Sequence, residues 1–274
     1  MPTKPSGVPE PAYVAARRAL LDALDALKEH LPALVLVGAQ AVYVHTGEGE
    51  VGVAPYTSDA DLALDPSLLS SDPLLERAMT RGGFALAAQP GIWASPTGVT
   101  VDLLVPESLG ERGGRRGARL GVHGHKVAHR ARGLEGCLVN KAPHMVEALE
   151  PDDARRFEVA VAGPAALIVS KVHKIADPER RRRARVKDKD ALDILRLLQA
   201  VQLDEIAAGF GRLRTSHLAA VVTAEAIENM RMLFANVDGA GSDMVARAVA
   251  GVADEAQVRL SLSTLARDLL ARLE

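Results

Sequence analysis

Hydrophobic positions along this chain change their rhythm once. Up to about residue 160, short apolar runs with a two-residue beat are mixed with helical stripes. From Gly163-Pro164 onward only helical stripes remain. The first stripe, over 11–30, sets Ala16, Leu20, Leu24 and Leu27 on one face, and Pro32 ends it. Leu34-Val35-Leu36-Val37 reads as a buried strand closed by Gly38, and the small apolar run Ala39–His45 as a helix packed on it. Asp59–Leu64 alternates acid and apolar residues as a strand does. A helix from Pro66 to about Arg81 follows. Next come strands over 84–88, 92–94 and 99–105, with Pro96-Thr97-Gly98 as a hairpin turn. Glu111–Gly136 shows no period and reads as a long loop, and Phe157–Ala162 as one more strand. Helices are predicted at about 165–176, 187–200, 203–213, 216–235, 243–252 and 255–273, with Pro164 suited to a first helical turn. The expected fold class is therefore α/β (α+β) with a mixed sheet over residues 1–160, followed by an all-helical region over 161–274.

Composition narrows the picture. The chain has 274 residues, 48% hydrophobic and 25% charged, which suits a packed globular protein and excludes disorder along its whole length. A single cysteine, Cys137, excludes an internal disulfide framework and a four-cysteine zinc site, and a lone thiol fits a reducing compartment. The apolar stretch Leu31–Val44 is too short for a membrane span and carries Gln40, so no membrane partner is expected. Met-Pro-Thr-Lys-Pro opens the chain without an apolar leader, and three prolines in residues 1–10 suggest a loose tail. A cytoplasmic location is expected.

The formal net charge is only −2, against a surface that coats nucleic acid everywhere. The charge is nevertheless uneven. Arg112, Arg115, Arg116, Arg119, Lys126, Arg130 and Arg132 fall in a stretch without acids, and a second basic run spans Arg180–Lys189. Either suits RNA phosphates or a solvated surface. His123, His125 and His129 share the first stretch, but neither a cysteine nor an acid completes a zinc set there.

The chemistry concentrates in Tyr56-Thr57-Ser58-Asp59-Ala60-Asp61. On a strand, residues two apart share a face, with Cα atoms roughly 6.5–7 Å apart. Two such carboxylates repel unless a cation neutralises them, and magnesium, or manganese in its place, suits carboxylate oxygen while leaving room for phosphate. Asp102, in Thr100-Val101-Asp102-Leu103-Leu104, is a third acid on a strand. If the two strands are neighbours, three carboxylates converge, as in-line phosphoryl displacement with metal ions requires. The competing structural reading is a solvated turn, which Asp65-Pro66-Ser67 beside them certainly is.

Strand–Gly38–helix, then Asp59-x-Asp61, then Asp102 resembles the nucleotidyltransferase fold of the DNA polymerase β superfamily. Lys171, in Val169-Ser170-Lys171-Val172-His173-Lys174-Ile175, and Lys189-Asp190-Ala191-Leu192-Asp193-Ile194 are similar to the lysine and KDxxDL motifs of the AbiEii/MenT-type nucleotidyltransferase toxins. The resemblance spans residues 34–198. It implies Asp59, Asp61 and Asp102 as metal-binding and catalytic acids, Lys171 and Asp193 as further catalytic residues, and Gly38, Ala39, Ser58 and Lys171 around an NTP. It implies Mg²⁺, a tRNA 3′ end or other RNA as acceptor, held with help from Arg112, Arg115, Arg116, Arg119, Lys126 and Arg130, and a toxin's role with a cognate antitoxin. One departure is Gly38-Ala39 where the family has Gly-Ser or Gly-Gly, which leaves backbone N–H donors without a hydroxyl. Small-molecule transfer and a catalytically inactive binding protein of the same fold are the alternatives. Asp190, three residues before Asp193 on one helical face, reads as a structural partner of Lys171.

Overall fold

The structure, a computed structural model, describes residues 9–47, 56–113, 116–178 and 188–274. Most of the proline-rich tail and of the Thr46–Pro55 segment, together with Arg115 and Arg180–Arg183, lies outside the described residues. The fold is mixed α/β. Helix α1 (Pro11–Ala26) leads through a 3-10 turn (Lys28–Ala33) into β1 (Leu34–Val37), α2 (Gly38–Thr46) and β2 (Asp59–Leu64). Then follow α3 (Leu75–Arg81), β3 (Ala85–Leu86), β4 (Ile92–Ala94), β5 (Thr100–Pro106), β6 (Glu111–Arg112), β7 (Ala118–Arg119) and β8 (His129–Ala131). A short α4 (Glu135–Val139), β9 (Lys141–Glu147) and β10 (Arg156–Ala162) complete the first half. The second half is α5 (Pro164–Ala176), α6 (Asp188–Ala200), α7 (Leu203–Thr215), α8 (Ala220–Phe234), α9 (Ala240–Val249) and α10 (Glu255–Arg272).

The main sheet has eight strands in the order β3-β4-β5-β2-β1-β10-β9, with β8 added to β5 beyond the reach of β4. β1 is antiparallel to β2 and parallel to β10, and β2 is parallel to β5. All four residues of β1 are buried, as an apolar run in mid-sheet must be. One apolar core runs from Tyr13 to Leu273, so the helical half packs on the sheet through α2, α5 and α6. Among the described residues no helix is long and apolar enough to cross a membrane.

Four segments differ from the sequence-based expectation. The helix expected from Pro66 begins only at Leu75: Asp65 Oδ1 accepts the Ser67 N–H at 3.0 Å in a local turn, and Pro73 blocks the helical path. α1 ends at Ala26, its continuation tightening into the 3-10 turn where the His30 N–H bonds Leu27 O at 2.8 Å. β9 was not expected, because it is an edge strand in which Val146 alone is fully buried, and an edge tolerates its Pro143. The stretch 111–136 is no open loop. Its β8 joins the sheet, Val127 and Ala128 are buried, and the Val127 carbonyl accepts the Trp93 indole N–H at 3.0 Å.

Candidate functional site

β2 and β5 begin where β1 ends, and the register sets Asp61 opposite both Val37 and Asp102. Asp59 and Asp61 are half-buried on one face of β2, while Ala60 and Leu62 beside them are fully buried. The chain leaves β1 through Gly38, whose φ of +68° favours glycine. A Cβ at this position would collide with the Asp61 carboxylate, so glycine is required twice over. α2 starts here without a side-chain cap, which turns its first N–H groups to whatever occupies the space ahead.

That space is a cleft of about 850 Å³. Gly38, Ala39, Asp59, Asp61 and Asp102 form its acidic end. Ser170, Lys171 and Lys174 reach it from α5, Lys189 and Asp190 from α6, and Asn229 from α8. Arg116, His129, Arg130 and Arg132 line the wall beside β5, with Glu107 among them.

Two carboxylate sets meet the cleft differently. In the sheet set, Thr57 Oγ1 donates to Asp59 Oδ1 at 2.7 Å, and the Gln40 amide donates to Asp59 O at 3.2 Å. Gln40 in turn accepts from the buried Arg17 at 2.9 Å and donates to Ala16 O at 3.0 Å, so α1 and α2 together fix where β2 starts. Burial and the neighbouring Asp59 charge push the Asp61 carboxyl above the ordinary carboxylate range, while Lys174, Lys171 and Lys189 pull it back. Lys189 Nζ stands 4.0 Å from Asp59 Oδ1.

In the helical set, Lys171 Nζ donates to Asp193 Oδ2 at 2.6 Å and approaches Asp190 Oδ1 at 3.4 Å, and Lys174 Nζ donates to the same Asp190 oxygen at 3.0 Å. The side chains of Lys171, Asp190 and Asp193 are 5%, 0% and 1% exposed, so this is a true interior ion cluster. Burial opposes the Lys171 charge, but Asp193 and Asp190 outweigh it and hold the ammonium above its usual range. Burial likewise works against the Asp190 charge, and Lys171 and Lys174 overcome it, leaving Asp190 below the ordinary range. Arg196, 3.8 Å from Asp193, lies over the Tyr43 ring. Burial, then the Asp193 charge, pushes the Tyr43 phenol up to about 12. Its hydroxyl donates to Tyr56 O at 2.8 Å and accepts the Tyr56 N–H at 3.1 Å, so the helical set connects to the residues just before Asp59.

Of the residues expected around a nucleotide, Gly38, Ala39 and Lys171 line the cleft, whereas Ser58 is exposed and does not. Asp193 stands behind Lys171, outside the lining. Of the basic stretch, Arg116 and Arg130 line the cleft and Arg112, Arg119 and Lys126 do not, while Arg115 lies outside the described residues. Arg132 is held by Glu225 at 2.6 Å and Glu107 at 3.5 Å. His123 is a buried structural histidine, and burial pushes the Cys137 thiol up, which leaves it unreactive. Among the described residues no three His, Cys, Asp or Glu side chains are drawn together into a metal cage. Thr57, Gln40, Glu107, Lys174 and Asn229 were not singled out from sequence. Only Thr57 carried a signal, a hydroxyl two residues before an acid.

Comparison with protein-family models gives no match to this chain, and comparison with curated proteins gives none either.

Proposed function

We propose that the protein is a metal-dependent nucleotidyltransferase that moves a nucleoside monophosphate from an NTP to the hydroxyl of an RNA 3′ end, of the tRNA kind. The observation that carries this reading is the pairing of Asp61 with Asp102 across neighbouring strands, with Asp59 on the same face and all three opening into one cleft at the start of α2. The acids fit Mg²⁺. They are half-buried, and burial together with the neighbouring Asp59 charge raises the Asp61 pKa, a load that a cation on the pair relieves. A pre-formed cage is not needed, because Mg²⁺ is commonly bound by one or two carboxylates, waters and substrate phosphates. Asp59, Asp61 and Asp102 would hold it, and when bound it supplies Lewis-acid polarisation of the phosphoryl oxygens.

The remaining work falls to the chain. The first N–H groups of α2 and the ammonium of Lys174 orient the triphosphate, and the absence of a hydroxyl at Ala39 leaves this to the backbone. Asp102 accepts the proton of the acceptor hydroxyl as its oxygen bonds to the α-phosphorus and pyrophosphate leaves. Lys171, saturated by Asp193 and Asp190, holds α5 to α6 and keeps positive charge beneath Asp61. Arg116 and Arg130 suit acceptor phosphates, since they line the same cleft. A toxin's role, restrained by an antitoxin protein, rests on the family resemblance and stands or falls with this activity. A small-molecule acceptor is the second reading, favoured by the commitment of Arg132 to Glu225 and Glu107, which thins the basic wall.

Incubation of the protein with Mg²⁺, each labelled NTP and total RNA tests the proposal. Label in a defined RNA species supports it. Label only in a small molecule selects the second reading, and no transfer from any NTP removes both.

A further inference from the structure

We propose that Lys189 is a built-in counter-ion of the acid pair, seated at Asp59 while the site lacks a divalent cation and giving way when one binds. The inference rests on the reading of Asp59 and Asp61 as a metal seat and adds to it how that seat is filled.

Among the described residues three lysines act on Asp61, and they are not equivalent. Lys171 and Lys174 have strong carboxylate partners of their own on α6, at 2.6 Å and 3.0 Å. Lys189 approaches Asp59 Oδ1 at 4.0 Å, with side-chain exposures of 24% and 29%. A part-exposed contact at that distance is weak, so the fold does not depend on it.

The backbone beneath Lys189 is held chiefly by its buried neighbour Asp190. Asp188 makes a two-pronged ion pair with Arg247 of α9, at 2.7 and 3.0 Å, and Asp190 is bonded by Lys174. The first turn of α6 is anchored at Asp190, with the exposed Asp188 pair adding orientation, while the flexible lysine stem projects to the sheet acids. An ammonium is a compact point charge on such a stem. It can neutralise a carboxylate and then retreat to solvent at small cost, which a divalent cation bound to the same oxygens forces it to do. Lys189 thus relieves the Asp59–Asp61 repulsion in the absence of metal, and metal affinity is reduced by the contact that must be given up.

Titration of the full-length, metal-stripped protein with Mn²⁺ by calorimetry, without nucleotide, tests the inference. Lys189→Met and Lys189→Gln should each tighten Mn²⁺ binding about two- to fivefold, the scale of a part-exposed ion pair. Lys189→Arg should keep the wild-type affinity. Melting temperatures in EDTA should stay close to wild type for all three. Arg130→Met removes a different cleft charge, one on β8, and should change Mn²⁺ affinity less than Lys189→Met does. Unchanged or weaker binding in both neutral Lys189 variants overturns the inference. Equal tightening in Arg130→Met overturns it too, because the effect would then be the general field of the cleft. A wild-type protein that binds no Mn²⁺ removes this inference together with the proposed function. Tighter binding in Lys189→Met without nucleotide transfer by the wild type leaves the counter-ion standing and removes the transferase.

Discussion

The two carboxylate sets of this protein use the same side chain to opposite ends. Asp190 and Asp193 sit on a helix, buried, with Lys171, Lys174 and Arg196 around them. Asp59, Asp61 and Asp102 sit on strands, half-buried, with one side turned to a cleft. In the first set a buried lysine is held charged and Asp190 is held ionised. In the second, Asp61 is pushed toward its neutral form. A buried charge whose partners all come from its own chain has done its work once the protein has folded. A carboxylate pair that faces a cleft and repels itself keeps capacity for a cation that arrives later. Proximity to a cleft does not separate the two roles, since Lys171 and Asp190 also line it. The direction of each shift does: burial opposes both charges, and it is overcome by Lys171 and Lys174 at Asp190 but reinforced by Asp59 at Asp61.

The largest effect that tests this contrast is on activity. Asp61→Asn keeps the volume of the side chain and removes its charge. Nucleotide transfer should fall by at least ~10²–10³-fold, the scale for losing one group that stabilises transition-state charge. The melting temperature should hold or rise, because a like-charge pair is relieved. Labelled-NTP turnover and a thermal melt on the same preparation check both. Wild-type turnover would remove Asp61 from the metal seat.

The opposite result is expected in the helical set. Lys171→Ala leaves Asp193 and Asp190 buried with a deficit of positive charge, and the apo protein should lose about 3–5 kcal/mol in urea unfolding without nucleotide. Lys171→Met, close in volume but uncharged, should lose a similar amount, which ties the loss to charge rather than to a cavity. A stable Lys171→Ala protein that has merely lost activity would break the comparison and move Lys171 to the nucleotide.

Much of this contrast was legible in the chain, and the reasons are local. The Asp59-x-Asp61 beat and the apolar run around Asp102 are strand signals, and strand period alone sets the first two acids on one face. Gly38 after four apolar residues marked the tight exit that brings α2 to Asp61. The pairing of β2 with β5 was a condition in the sequence and a fact only in the fold. The course of 111–136 was not legible, because β6, β7 and β8 are two or three residues long, and it takes β5 to recruit β8 and Trp93 to hold Val127. Proximity in sequence also made seven basic residues look like one patch. The fold divides the six that are described, turning Arg116 and Arg130 to the cleft, tying Arg132 to Glu225 and leaving Arg112, Arg119 and Lys126 outside the cleft lining.

That division predicts a smaller effect, on RNA binding. Each phosphate neutralised by a basic side chain releases counter-ions, about 0.7 of a unit of log–log salt slope per contact on single strands and 0.9 on duplex. Arg116→Ala with Arg130→Ala should therefore lower the slope for an RNA acceptor by about 1.4–1.8 units. Arg112→Ala with Arg119→Ala should lower it by less. Filter binding of labelled RNA across a salt series measures both. Equal losses would show that the whole basic stretch contacts RNA, and no loss in either pair would favour a small-molecule acceptor.

The smallest effect concerns how the basic stretch is held in place. His123 Nδ1 accepts the Leu75 N–H at 3.1 Å, so the proton of its neutral ring is on Nε2, which donates to Ser70 O at 2.9 Å. The His30 ring stands 5.6 Å away, edge to face, with Nε2 bonded to Pro73 O at 2.9 Å. Both rings bind the Ser70–Leu75 connection, and His123 thereby ties the turn at 121–123 to the start of α3. Burial depresses the His123 pKa below its ordinary 6.5, and the bond to Ser70 O only partly offsets this. The sign follows directly. Above the unfolded pKa both states carry a neutral ring and the fold keeps its full stability. As pH falls through that value the unfolded chain takes up a proton that the folded ring resists, so stability declines until the folded pKa is reached. Burial depresses His45 in the same sense, so the wild-type curve carries both histidines. Unfolding curves from pH 7.5 to 5.5 should show a loss of stability to which His123 contributes. His123→Gln, which can accept from one amide atom and donate from the other, should flatten that part of the curve and leave the His45 part. An identical pH dependence in the variant would mean that His123 contributes nothing to the loss, because protonation of Nδ1 must break the Leu75 bond.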